Sequence, residues 1–178
     1  MTSKLKTDVL ETVSGSGTIA LTNQLSGMTH ASVPTLTSNH MPAGCVLQRQ
    51  VSADLGGSAS TTSTSFVQVG SWQITNVLSG STIQIEAHVS HLIEGNLTGT
   101  FAIFKGSTEL AYGRHTSNGN GGWRAPMPAI VAVDTSPSVG TNSYTLKMKS
   151  SGGTVYFNYN HGGSGAAPSY FVTTEIAG

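Results

Sequence analysis

In residues 82–90, Thr-Ile-Gln-Ile-Glu-Ala-His-Val-Ser, apolar and polar side chains alternate one for one. Extended backbone sends successive side chains to opposite faces, so Ile83, Ile85, Ala87 and Val89 share one side while Gln84, Glu86, His88 and Ser90 share the other. That is a strand with one face buried and one face wet. Similar short runs recur after residue 43: CVLQRQV, SFVQVGSWQI, GTFAIFKG, TELAYG, AIVAVD, SYTLKMKS, TVYFNYN and SYFVTTEI, each bounded by Gly, Pro, Ser or Asn. No stretch of a dozen residues carries an apolar 3.6 period, so little helix is expected. The pattern predicts an all-β fold of eight or nine strands, closed as an antiparallel β-sandwich or jelly roll. KGS after FAIF and SGGT before VYFN are expected tight turns, because glycine accepts positive φ without a Cβ clash.

Residues 1–42 read differently. Weak strand pieces such as TDVLETV and GTIALTN are interrupted by Gly, Ser, Thr and Pro, too sparsely to close a core alone. The expected organisation is therefore an extended N-terminal attachment arm over 1–42 and a β-sandwich head domain over 43–178. Charged residues make up only 9% of the chain, against a typical quarter, and the formal net charge is zero. No basic field draws in phosphate backbones or anionic lipid, which argues against nucleic-acid and membrane-surface partners. The opening MTSKLKTDVLETVSG lacks a continuous apolar segment, and no run approaches the roughly 18 apolar residues of a spanning helix, so synthesis in a cytoplasm without membrane insertion is expected. Cys45 stands alone, which excludes an internal disulfide and suggests a small buried residue.

The chemistry-bearing residues are few. His88 and His91 have H-x-x-H spacing, but on a strand an odd offset sends the two rings to opposite faces. Only Glu86 and His88 remain same-face neighbours, short of the three or four ligands of a zinc site. A subunit-interface role for Glu86 and His88 is expected instead, with assembly sensitive to mildly acidic pH. GSGTIA at 15–20 matches a dinucleotide fingerprint but lacks the flanking strand and helix, and reads as a turn. No G-x-S-x-G elbow and no recognisable pair of carboxylates is present, so the chain is expected to be non-enzymatic and to need no metal or cofactor. The longest loop signal is GRHTSNGNGGWRAPMP, residues 113–128. Arg114, His115, Asn118, Asn120, Trp123 and Arg124 there offer hydrogen-bonding groups around one large ring, a combination that suits a sugar. Trp123 serves equally well as a hydrophobic plug over the sandwich end or at a subunit contact. NYNHGGSGAAPSY, with Tyr159, Asn160 and His161, reads mainly as a turn-forming connection.

Taken together, MPAGCVLQ, TSTSFVQVG, TIQIEAHVS, FAIFKGSTELAYG, GGTVYFN and TEIAG resemble the C-terminal head domain of tailed-bacteriophage fibre and virion appendage proteins, as in aquatic and cyanobacterial phages. KLKTDVLETVSGSGTIAL is similar to the attachment segments of such proteins. The resemblance covers roughly residues 41–178 and brings no catalytic residues with it. It implies a virion structural protein and, with an arm that cannot stand alone, a homotrimer. As a short tail fibre or fibre tip, the chain would join other virion proteins through residues 1–42 and meet host surface polysaccharide through its head loops. A capsid decoration protein is the alternative, since one fold can serve both purposes.

Overall fold

The turn predicted at KGS joins the innermost pair of strands. Gly106 adopts φ 60° and folds β6 (Thr98–Lys105) back on β7 (Thr108–Thr116). In this computed structural model, which describes residues 41–53, 55, 57–117, 129–159 and 168–178, the chain on either side of that turn pairs outward in nested antiparallel steps. Strand β4 (Thr82–His88) pairs with β8 (Ile130–Asp134), and β3 (Val67–Val77) with β9 (Gly140–Ser150). The short β2 (Ala59–Thr61) pairs with β10 (Val155–Phe157), and β1 (Val46–Val51) with β11 (Tyr170–Ile176). This long hairpin is rolled up, so β11 also pairs with β4, β9 with β6, and β10 with β5 (His91–Ile93).

The result is two four-stranded sheets, β1-β11-β4-β8 and β3-β9-β6-β7, with the three-stranded sheet β2-β10-β5 beside them. First strand beside last, wound inward to a central hairpin, is the jelly-roll topology, and every pairing is antiparallel. All regular elements among the described residues are strands.

The core follows from the alternation. Ile83, Ile85 and Ala87 of β4 are wholly buried, with Ile74, Phe101, Ile103, Tyr144, Leu146, Met148, Phe157 and Phe171. The small sheet adds Ile93 and Val155 to the same cluster. Their approach explains Gly99: a Cβ there would lie 2.8 Å from Ile93 Cδ1 and 3.2 Å from both Val155 methyls.

Several boundaries differ from the sequence expectation. Strands β2 and β5 are three residues each, too short to show a period. Strand β10 stops at Phe157 because Asn158 turns to φ 52°. Strand β3 runs on to Val77 through a bulge at Asn76, φ 58°. Cys45 is half-buried rather than buried, since it precedes a strand that is at the edge of its sheet among the described residues. Strand β7 extends to Thr116, so residues 113–116 of the expected loop are strand. Of the expected arm, residues 1–40 lie outside the described part, and GSGTIA with them.

Candidate functional site

Strand β7 carries Arg114 and His115 on opposite sides, by the same period that separates His88 from His91. His115 turns inward. Its Nδ1 lies 2.7 Å from Nε2 of His91, a ring that is 3% exposed and packs against Phe101. The Nδ1 of His91 faces the Val89 carbonyl at 3.5 Å, so the tautomer that fits carries its proton there and leaves Nε2 to accept from His115. Burial and the neighbouring His115 push the His91 pKa down to about 4, against a small opposing pull from the Val89 carbonyl. His88 instead stacks on Tyr170, ring centroids 4.6 Å apart, and meets Glu86 at 3.6 Å. The H-x-x-H pair is thus divided between the interior and the outer face of the β1 sheet. Among the described residues, no group of three or more His, Cys, Asp or Glu side chains is placed to hold a metal.

Arg114 points the other way, onto the outer face of the β3 sheet. Register sets Lys149, Thr100 and Arg114 side by side across β9, β6 and β7. They line an open depression of about 400 Å³ with Thr64, Thr98, Ser150 and Ser151. Two cations and five hydroxyls therefore surround a space with neither a carboxylate nor an aromatic ring in its wall. The depression has a firm rim. Ser151 Oγ accepts from Thr98 N at 2.9 Å, Thr98 and Thr116 hydroxyls meet at 2.9 Å, and the Ser150 hydroxyl donates to the Gly153 carbonyl at 2.7 Å. Thr100 has no hydrogen-bond partner for its hydroxyl among the described residues.

The cations are held over rings outside the wall: Lys149 Nζ lies 4.3 Å from the centre of Phe66, and the Arg114 guanidinium carbon 5.0 Å from that of Tyr112. Neither has an acidic partner, because the ion pairs among the described residues are His88–Glu86 and Lys105–Asp134. Of the six residues expected at the recognition loop, Arg114 is in the depression and His115 is on the opposite face. Asn118, Asn120, Trp123 and Arg124 lie outside the described residues, as do Asn160 and His161 of the second loop. Sequence reading missed Lys149, Thr100 and Thr98, which come from strands far apart in the chain. A register pairing SYTLKMKS with GTFAIFKG would have set Lys149 opposite Thr100.

Two further polar clusters are structural ties. Asp134 accepts from Lys105 Nζ at 2.6 Å, Tyr144 OH at 2.7 Å and Ser136 N at 3.1 Å. Burial works to raise its pKa, but those three hydrogen bonds outweigh it and hold the carboxyl below its ordinary value. Glu175, 1% exposed, accepts from Leu78 N, Ser81 Oγ and Gln48 Nε2 at 2.7, 2.7 and 2.6 Å, joining β11 to β1 and to the β3–β4 turn. Both oxygens of Glu175 are thus engaged by the fold itself.

The fold and the depression together define an all-β jelly-roll module with a hydroxyl-rich, cationic hollow on one sheet. No protein-family model matches the chain, and no curated protein matches it in sequence.

Proposed function

We propose that this chain is a non-enzymatic recognition module of a phage virion, the head of a short tail fibre or fibre tip. It attaches through residues 1–42 and meets host surface polysaccharide through the face that carries Arg114. The observation that carries this reading is the hollow itself: a wall of hydroxyls and cations suits hydrogen bonding to a polyol. Asn118, Asn120, Trp123 and Arg124 follow Arg114 closely in sequence and belong to the same proposed contact.

A homotrimer is the proposed assembly, joined through the outer face of the β1 sheet. Support comes from a cross-strand row in which Val51, Val172, Glu86 and Val131 stand in register, with Val51 and Val131 more than half exposed. Val133, 55% exposed, stands opposite Gln84 in the next row. Apolar side chains gathered on one sheet face mark a surface that another chain covers. Glu86 and His88 lie within this face, where Gln84 Nε2 also donates to Glu86 at 3.1 Å.

Gold-labelled antibody against the protein, applied to intact particles, tests the reading. Label confined to the tail tip is expected; label spread over the capsid would replace the fibre with a decoration protein, and unlabelled particles would end the virion reading. Light scattering at micromolar concentration tests the assembly, and a stable monomer would refute the trimer.

A further inference from the structure

We infer that the hollow on the β3 sheet binds an acidic saccharide, its carboxylate held between Arg114 and Lys149 and its hydroxyls met by Thr98, Thr100 and Thr64. This rests on the polysaccharide-recognition reading above and specifies the class of sugar.

Directly opposed Cα atoms on antiparallel strands stand about 4.5–5.5 Å apart, so Lys149 and Arg114 flank Thr100 with roughly 10 Å between their Cα atoms. Long side chains at that separation can converge on one anion seated over Thr100. A guanidinium offers a planar pair of donors that matches a carboxylate, and an ammonium adds a movable point charge.

The whole chain has only eight Lys and Arg residues balanced by eight acids, yet two of those cations share one hollow with no carboxylate in its wall. Neighbouring ring faces restrain them without neutralising them, since a cation over a ring keeps its full charge. A surface site for neutral sugars ordinarily offers an aromatic face for the apolar C–H side of the ring. Among the described residues, the ring faces beside the two cations, Phe66 and Tyr112, are covered by the cations themselves. What the wall of the hollow itself offers a ligand is charge and hydroxyl, which suits a sugar that carries an anion.

Among the described residues, the Thr100 hydroxyl at the centre of the row and the Thr64 hydroxyl beside it have no hydrogen-bond partner. Hydroxyls can donate and accept, so they complement a polyol better than a bare ion or a phosphodiester backbone. Nucleic acid would need a continuous basic stripe, which a neutral chain with Lys147, Lys149 and Arg114 on this sheet face does not supply.

Titration of the full-length protein, followed by backbone NMR shifts, with tetragalacturonate, maltotetraose, inorganic phosphate and a short oligodeoxythymidylate in parallel, tests the inference. Tetragalacturonate is expected to bind saturably at millimolar strength, shifting Thr98, Thr100, Arg114 and Lys149, and to weaken as salt is raised. Arg114→Gln and Lys149→Gln are each expected to weaken it by on the order of tenfold, the usual cost of losing a hydrogen bond to a charged group. Thr100→Val, with unchanged melting temperature, should also reduce it and so separate the central hydroxyl from the charges. Equal affinity for maltotetraose would overturn acidic selectivity while leaving polysaccharide recognition standing. Phosphate binding as tightly as the sugar, tighter binding of the oligonucleotide, or shifts located elsewhere would overturn the site. Acid-selective binding combined with label over the capsid would do the reverse, keeping this site and removing the fibre.

Discussion

Lowering the pH from 7 to 4 is expected to strip about 3 kcal/mol from the head by protonating a single ring, His91. The ring is 3% exposed, and its pKa is pushed down to about 4 by burial first and by His115 second. In the unfolded chain an ordinary histidine takes up its proton near pH 6.5. Between these values the unfolded state binds one proton more than the folded state, so stability falls with falling pH at about 1.36 kcal/mol per unit, or roughly 3 kcal/mol over the interval. The contribution is fully present above pH 6.5 and is lost on the way down to about 4. Geometry gives the same sign, because a proton added to Nε2 of His91 removes the acceptor that His115 Nδ1–H meets at 2.7 Å, and the contact is kept only if His115 moves its own proton to Nε2. For a domain stable by about 5–15 kcal/mol the loss is large. Urea midpoints of wild type and His91→Gln, measured across this pH range, isolate the group: the difference between the two curves should slope through the interval and level off above pH 6.5. A flat difference, or a His91 ring that titrates near 6.5 by NMR, would refute the reasoning.

Gly99→Ala should destabilise by about 1–3 kcal/mol, read as a lowered melting temperature, because the new methyl enters the 2.8 Å gap to Ile93 with the β-branched Val155 on the other side. Thr145→Val should hold or raise the melting temperature, by up to about 1 kcal/mol, since it deletes a buried hydroxyl that has no hydrogen-bond partner. Asp134→Ala should cost about 2–4 kcal/mol by leaving the wholly buried Tyr144 hydroxyl without its acceptor and Lys105 without its counter-charge. In wild type the contribution of Asp134 is present above pH 3.8 and declines as pH falls through its lowered folded value.

Strand content was legible in the sequence wherever alternation lasted five residues or more, as in TIQIEAHVS and SYTLKMKS, because a period needs several repeats to declare itself. The three-residue β2 and β5 carry too few. Strand order was not legible: the rolled hairpin that sets β11 between β1 and β4 depends on pairings across most of the head. Faces fared better than positions. Alternation correctly sends His88 and His91 apart, and the same rule separates Arg114 from His115 once β7 is known to continue through both. Reading residues 113–128 as one loop hid that split. Lys149 gave no local sign at all, since its meaning comes from standing opposite Thr100.

The nesting of the strands also sets a timetable for folding. Joining β1 to β11 directly in a free chain means closing a loop of some 130 residues between Val46 and Ile176, an entropic cost of about 4 kcal/mol before any constant term. The β6–β7 hairpin closes across Gly106 and Ser107. Once it has formed, each outer pair finds its partner already brought near, and the barrier to closing the ends is taken in short steps. The jelly roll therefore behaves as a zipper with one starting point, and a change that weakens the Gly106 turn is expected to slow folding. A change at the β1–β11 seam acts after the rate-limiting step and hastens unfolding instead.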